Sequence, residues 1–191
     1  MGNDGWQVAL KQERRNKDQF FAMHWESPLP LEDREKFTGL AYFPVNPDYR
    51  FALSMHEYKD REVVEIQDTA GAMRQYLRWG EFRFRIGNEE CSLQAYKSNP
   101  GEDRLFVPFK DATSGKETYG AGRYLDLNSA SDRTPDGKWV LDFNRAYNPW
   151  CAFSANYTCP YVPPENWLKV PIRAGEKSYS LNSAAGGEKQ P

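Results

Sequence analysis

The sequence predicts a mainly β fold, an antiparallel β-sandwich or partly closed β-barrel with an N-terminal helix. Three observations predict it. Apolar and polar residues alternate in several short runs between positions 49 and 172, turns containing glycine or proline separate those runs, and one long helical segment precedes them all. The chain has 191 residues, enough for one substantial core, and its 15% aromatic content supplies large apolar side chains to fill it. Residues 1–177 are expected to form a single domain, and 178–191, rich in glycine, serine, alanine and charge, a flexible tail.

The first element is a helix over 8–25, with Leu10, Phe20, Phe21 and Trp25 able to dock on the body. Arg14 and Lys17 interrupt its apolar stripe, so the expected docking is at the two ends, with Glu13 to Asp18 facing water. Ser27-Pro28 ends it, because a residue before proline is pushed out of the helical region. A short helical piece is expected from Pro30 to Lys36, with Glu32 and Asp33 near its positive end.

Strands follow, nine or ten in all. From Tyr49 to His56 the larger apolar side chains occupy alternate positions, and 61–66 and 73–79 are further candidates around Asp68-Thr69-Ala70-Gly71. The clearest hairpin pairs the run of Phe82, Phe84 and Ile86 with that of Cys91, Leu93 and Ala95 through a Gly87-Asn88 turn. It places Cys91 against the core as a buried structural thiol. A second hairpin is expected between 122–127 and 138–144, with Leu125, Leu127, Trp139, Leu141 and Phe143 inward and Tyr124, Asp126, Val140, Asp142 and Asn144 on a common opposite face. Prolines at 149, 160, 163 and 164 prevent regular pairing over much of 147–166, whose aromatics suit an ordered covering loop. Leu168, Val170 and Ile172 then alternate as a final edge strand.

Composition excludes several functions. With 25 basic and 27 acidic residues the formal charge is −2, which supplies no field for nucleic acid or an anionic membrane. Arg83 and Arg85 share a strand face with Glu81 and the acidic turn at Glu89-Glu90, as a surface ion-pair lattice would. No segment approaches the ~20 apolar residues of a membrane span, and the first ten residues lack the organisation of a secretory signal, so a cytoplasmic protein is expected. Of three cysteines, Cys151 and Cys159 could close a small loop or remain reduced; a cytoplasmic setting favours the reduced pair. His24 and His56 belong to no short metal motif, so neither a metal site nor a cofactor is expected. Ser114-Gly115-Lys116 lacks the earlier glycine of a phosphate loop, and Glu117 stands where that loop needs Ser or Thr.

Polar groups concentrate along 106–126 and 142–148. The leading expectation is a site for a small anionic or polar molecule formed by Lys116, Tyr119, Arg123, Asp126, Asp142, Asn144 and Arg145. Arg123 and Arg145 would hold an anion, with Tyr119 and Trp150 covering an apolar portion. A structural ion pair and a buried brace explain the same residues. The enzyme alternative is hydrolysis by paired carboxylates Asp126 and Asp142, with His56 or Glu165 as further participants; a structural or protein-interaction domain is the third.

The segments Gly39-Leu40-Ala41-Tyr42-Phe43-Pro44, Leu105 to Asp126, Leu141 to Pro149, Cys159 to Asn166 and Ala174-Gly175-Glu176-Lys177 together resemble an uncharacterised bacterial and archaeal family, domain of unknown function 1684. The resemblance runs over most of the chain and implies that the central segment and the proline-rich loop belong to one shared site or brace. It implies no established reaction. Trp150 departs from the small residue or proline associated with that position, a change that would alter a pocket wall.

Overall fold

In a computed structural model that describes residues 3–179, the chain folds as two antiparallel sheets in a sandwich-like arrangement with an N-terminal helix, and no barrel closes. The helices are α1 (Asn3–Met23) and α2 (Leu31–Arg34). The strands are β1 (Arg50–Leu53), β2 (His56–Glu57), β3 (Val63–Gln67), β4 (Met73–Ile86), β5 (Glu89–Lys97), β6 (Arg104–Phe109), β7 (Arg123–Asn128) and β8 (Trp139–Asp142). Among the described residues, no helix is long and apolar enough to cross a membrane.

The larger sheet runs β2-β4-β5-β6-β7, and β3 shares with β2 the same edge of the long β4. The expected β4–β5 hairpin forms, with Phe82 opposite Leu93 and Phe84 opposite Cys91. An extra residue at Trp79 breaks the register between Arg78 and Gly80. Gly80 lets β2 close on that bulge, because a Cβ there would stand 2.5 Å from the His56 carbonyl oxygen.

Alternation then gives this sheet two different faces. On one, Phe82, Phe84, Leu93, Ala95, Leu105, Val107, Leu125 and Leu127 pack with Trp139, Leu141 and Phe143, and with Leu168, Val170 and Ile172. On the other, Ile66, Tyr96, Phe106 and Tyr124 pack under Cys159 and Val162 of the covering loop, with Tyr76, Tyr147 and Cys151 beside them.

Four expectations are corrected. The hairpin between 122–127 and 138–144 is not made: β7 pairs with β6, whereas β8 pairs with β1 in a separate two-stranded sheet, Arg50 opposite Asp142. Inward positions of both strands are as read, but alternation carries no information about which strand is the neighbour. The edge strand at 168–172 reduces to a bridge at Trp167 and single hydrogen bonds to 110–112, since Pro171 has no donor. The middle of α1 is also docked: Arg14 donates to the carbonyls of Phe43 and Asn144, both at 3.1 Å, and Lys17 pairs with the buried Glu176 at 2.5 Å. Trp25, past the helix end, is exposed instead of docked. Of the expected tail, Ser178 donates to the Glu117 carbonyl and Tyr179 packs on Phe153, and residues 180–191 lie outside the described residues.

Candidate functional site

The residues singled out from sequence divide into an internal polar frame and a scatter of surface positions. Arg123 is fully buried at the start of β7. One Nη donates to Asp111 at 2.9 Å and the Ile172 carbonyl at 2.8 Å; the other donates to the carbonyls of Ala174 and, at 3.0 Å, Glu176. Its charge is spent on tying the sheet to residues 172–176, and no solvent or ligand reaches it.

Beneath α1, Asp142 accepts from Trp6 Nε1 at 2.8 Å and from the amide and side chain of Asn144 at 3.0 and 2.9 Å. Asn144 also exchanges hydrogen bonds with the backbone of Asn46, both at 2.8 Å. Arg145 divides itself between Asp132 at 3.0 Å and Glu13 at 2.8 Å. Asp126 lies in the other sheet, where it accepts from Tyr147 Oη at 2.7 Å and Arg104 at 3.2 Å. The two aspartates therefore do not share a strand pair.

Lys116 is exposed in the turn after Thr113, and His56 is exposed on β2 opposite Glu81. Trp150 is exposed and meets Tyr157 edge to face. Tyr119 is half-buried, its hydroxyl 3.8 Å from Cys151 Sγ. None of these four side chains hydrogen-bonds to the frame under α1. Among the described residues, no group of three or more His, Cys, Asp or Glu side chains could hold a metal ion.

Glu165 is different, because it borders a groove of about 620 Å³ between β3 and the segment 161–165. The groove exists because two prolines end a strand pairing. Asp68 bridges Pro160, and Tyr161 donates its amide to the Gln67 carbonyl at 2.9 Å, so the loop begins as a partner of the β3 edge. Pro163 and Pro164 then bring no amide donor, and the chain turns into a short 3₁₀ helix away from the strand. Asn166 fixes that turn: fully buried, it accepts from the Gln94 amide at 2.7 Å and donates to the carbonyls of Gln94 and Pro108 at 2.9 and 2.7 Å.

The register shows what the groove offers. Arg78 donates its amide to the Glu62 carbonyl, and Asp68 to that of Ala72, so the even-numbered residues of β3 bond toward β4. The amides and carbonyls of Val63 and Glu65 consequently point into the groove.

At one end Arg78 bridges Glu62 and Glu165, 2.8 Å to each, and Tyr96 Oη donates to Glu165 at 3.0 Å. Burial, reinforced by the Glu165 charge, raises the Tyr96 phenol far above its ordinary value, so it remains a donor at any physiological pH. With Glu65 added, the groove carries three carboxylates against one guanidinium, beside apolar surface from Val63, Tyr161, Pro163 and Pro164. Of these charged and phenolic groups, the sequence singles out only Glu165; Glu62, Glu65, Arg78 and Tyr96 go unmarked. Nothing local signals that positions 62, 78, 96 and 165 meet.

Comparisons with known proteins agree with this fold. A search of curated proteins returns no match. The chain is similar to the uncharacterized protein from gene locus rrnAC0354 of Haloarcula marismortui, whose solution NMR structure is 38% identical over 91% of this chain and 95% of that one, with a TM-score of 0.70. The model of the family described as a protein of unknown function, DUF1684, matches residues 35–177, a span holding β1 to β8, the groove and the Arg123 brace. The chain belongs to the DUF1684 family of proteins of unknown function.

Proposed function

We propose that this protein is a cytoplasmic binding domain for a small polar molecule bearing an amine or similar donor-rich group, taken up in the groove between β3 and residues 161–165. The observation that carries the reading is the lining: carboxylates of Glu62, Glu65 and Glu165 in excess over Arg78, beside the outward backbone edge of Val63 and Glu65. A ligand ammonium would bond the carboxylates, its remaining polar atoms would pair with the strand edge, and its carbon skeleton would lie against Tyr161 and the prolines. The volume is in the range of small-molecule sites, roughly 300–1,000 Å³.

This choice changes the ligand class the sequence suggested. Arg123 and Arg145, the anion-holding residues of that expectation, already bond to the protein itself. Lys116 and Trp150 stay exposed on the surface.

An NMR titration of the uniformly labelled protein with two sets of small molecules, amines and carboxylates, tests the reading. Amide shifts confined to Val63–Gln67 and Tyr161–Glu165 on adding amines are the expected result. Shifts produced by carboxylates alone, or clustered around Lys116 and Arg145, would overturn it. In Glu165→Gln, loss of one charge-assisted hydrogen bond weakens amine binding about tenfold or more.

A further inference from the structure

Cys151 and Cys159, eight positions apart in sequence, stand side by side as free thiols. The Cys151 amide donates to Cys159 Sγ at 3.4 Å, and Tyr119 Oη lies 3.8 Å from Cys151 Sγ. Cys151 is half-buried, whereas Cys159 is 8% exposed. The third cysteine, Cys91, belongs to the hydrocarbon face of the sheet, apart from this pair.

We infer that Cys151 and Cys159 form a redox dithiol that a hydroperoxide closes to an intramolecular disulfide. The inference uses no part of the groove's ligand chemistry. The Cys159 thiolate attacks the terminal oxygen of hydrogen peroxide, the O–O bond breaks, hydroxide leaves, and a sulfenic acid remains on Cys159. Cys151 Sγ then attacks that sulfur, its proton and the sulfenic hydroxyl depart as water, and the S–S bond forms. Two thiols have lost two protons and two electrons, and the peroxide has become two waters. A peroxide suits the site better than a bulky disulfide because so little of the attacked sulfur is exposed.

The division of roles follows from the hydrogen bonds. The neighbouring Cys151 thiol, the Cys151 amide that donates to Cys159 Sγ at 3.4 Å and the Arg74 charge lower the Cys159 thiol against the opposing effect of burial. The same neighbour pushes the Cys151 thiol up, which keeps its proton available to the pair. Cys91 is raised by burial and by Glu89, and serves as an internal control.

The test is made on the reduced full-length protein, exposed at neutral pH to a slight excess of hydrogen peroxide and then alkylated in denaturant. Expected are an intact mass with two of three thiols lost to alkylation, a peptide linking Cys151 to Cys159, an alkylated Cys91, and full recovery with a phosphine reductant. Cys151→Ser should accumulate a sulfenic acid at Cys159 that dimedone captures, and Cys159→Ser should capture none at Cys151. All three thiols alkylated in the treated wild-type protein, or a link that includes Cys91, would overturn the inference without bearing on amine binding in the groove.

Discussion

The two faces of the larger sheet are made by the same strands and do different work. One face is hydrocarbon against hydrocarbon, Phe82, Leu93, Leu105, Val107 and Leu125 against Leu141 and Phe143, and its charge is confined to the end, where Arg123 and Asp111 are sealed together. The other is built of hydroxyl-bearing aromatics, Tyr76, Tyr96 and Tyr124, roofed by a proline-rich loop that cannot complete the hydrogen bonding of β3. A closed apolar face stabilises. A face roofed by irregular chain leaves strand-edge backbone and carboxylates at the surface.

Removing charge from the sealed face gives the largest effect. Arg123→Met leaves Asp111 buried without its counter-ion and three carbonyls, of Ile172, Ala174 and Glu176, without their donor. Breaking a buried pair in this way costs about 3–5 kcal/mol, enough to take most of the stability of a typical domain. Urea unfolding measures it. A loss under about 1 kcal/mol would show that Arg123 behaves as an exposed pair.

The roofed face is expected to fail at high pH. Burial raises the phenols of Tyr96 and Tyr124 far above their usual value near 10. In the unfolded chain they ionise around pH 10; in the folded protein they keep their protons, so above that pH the unfolded state binds fewer protons and stability falls as pH rises. Each contributes about 1.4 kcal/mol per pH unit beyond pH 10. Urea midpoints at pH 9, 10 and 11 should be flat between the first two and drop sharply by the third, and Tyr96→Phe should soften the drop.

Asn166 links the faces. Asn166→Ala removes three buried hydrogen bonds and leaves the Gln94 amide and two carbonyls unpaired, a cost of about 2–3 kcal/mol. Its second effect is local: the 164–166 turn loses its anchor to β5 and β6, so hydrogen exchange should quicken along 161–166 beyond what global destabilisation produces. Exchange that rises uniformly would mean the roof does not depend on this anchor.

What the sequence disclosed follows the same division. Contacts between neighbours in the chain were legible: the 82–86 and 91–95 hairpin was readable because its two alternating runs flank one turn, and the prolines at 160–164 announced a covering loop. Contacts between distant residues were not. Arg78 meets Glu62 across 16 positions and Glu165 across 87, and no periodicity relates them. Asp142, Asn144 and Arg145 stand out as polar residues converging near a strand end, which they are, but their partners come from three other segments: Trp6 and Glu13 from α1, Asn46 and Asp132 from two separate loops. Arg14 and Lys17 misled because a charge within an apolar stripe normally faces water, whereas here carbonyls and Glu176 receive it.

The smallest stability effect is expected where the proposed function is greatest. Arg78 and Glu165 are 30% and 35% exposed in their side chains, so the pair is solvent-screened, and Arg78→Gln should change stability by less than about 1 kcal/mol. The same substitution removes the cation that neutralises Glu62 and Glu165, and both carboxylates become free to take a ligand ammonium. Amine binding should therefore strengthen in Arg78→Gln while it weakens in Glu165→Gln, at nearly unchanged urea midpoints. A structural pair would move both variants the same way, toward lower stability with no change in binding, and that pattern would reassign the groove from a ligand site to a part of the roof.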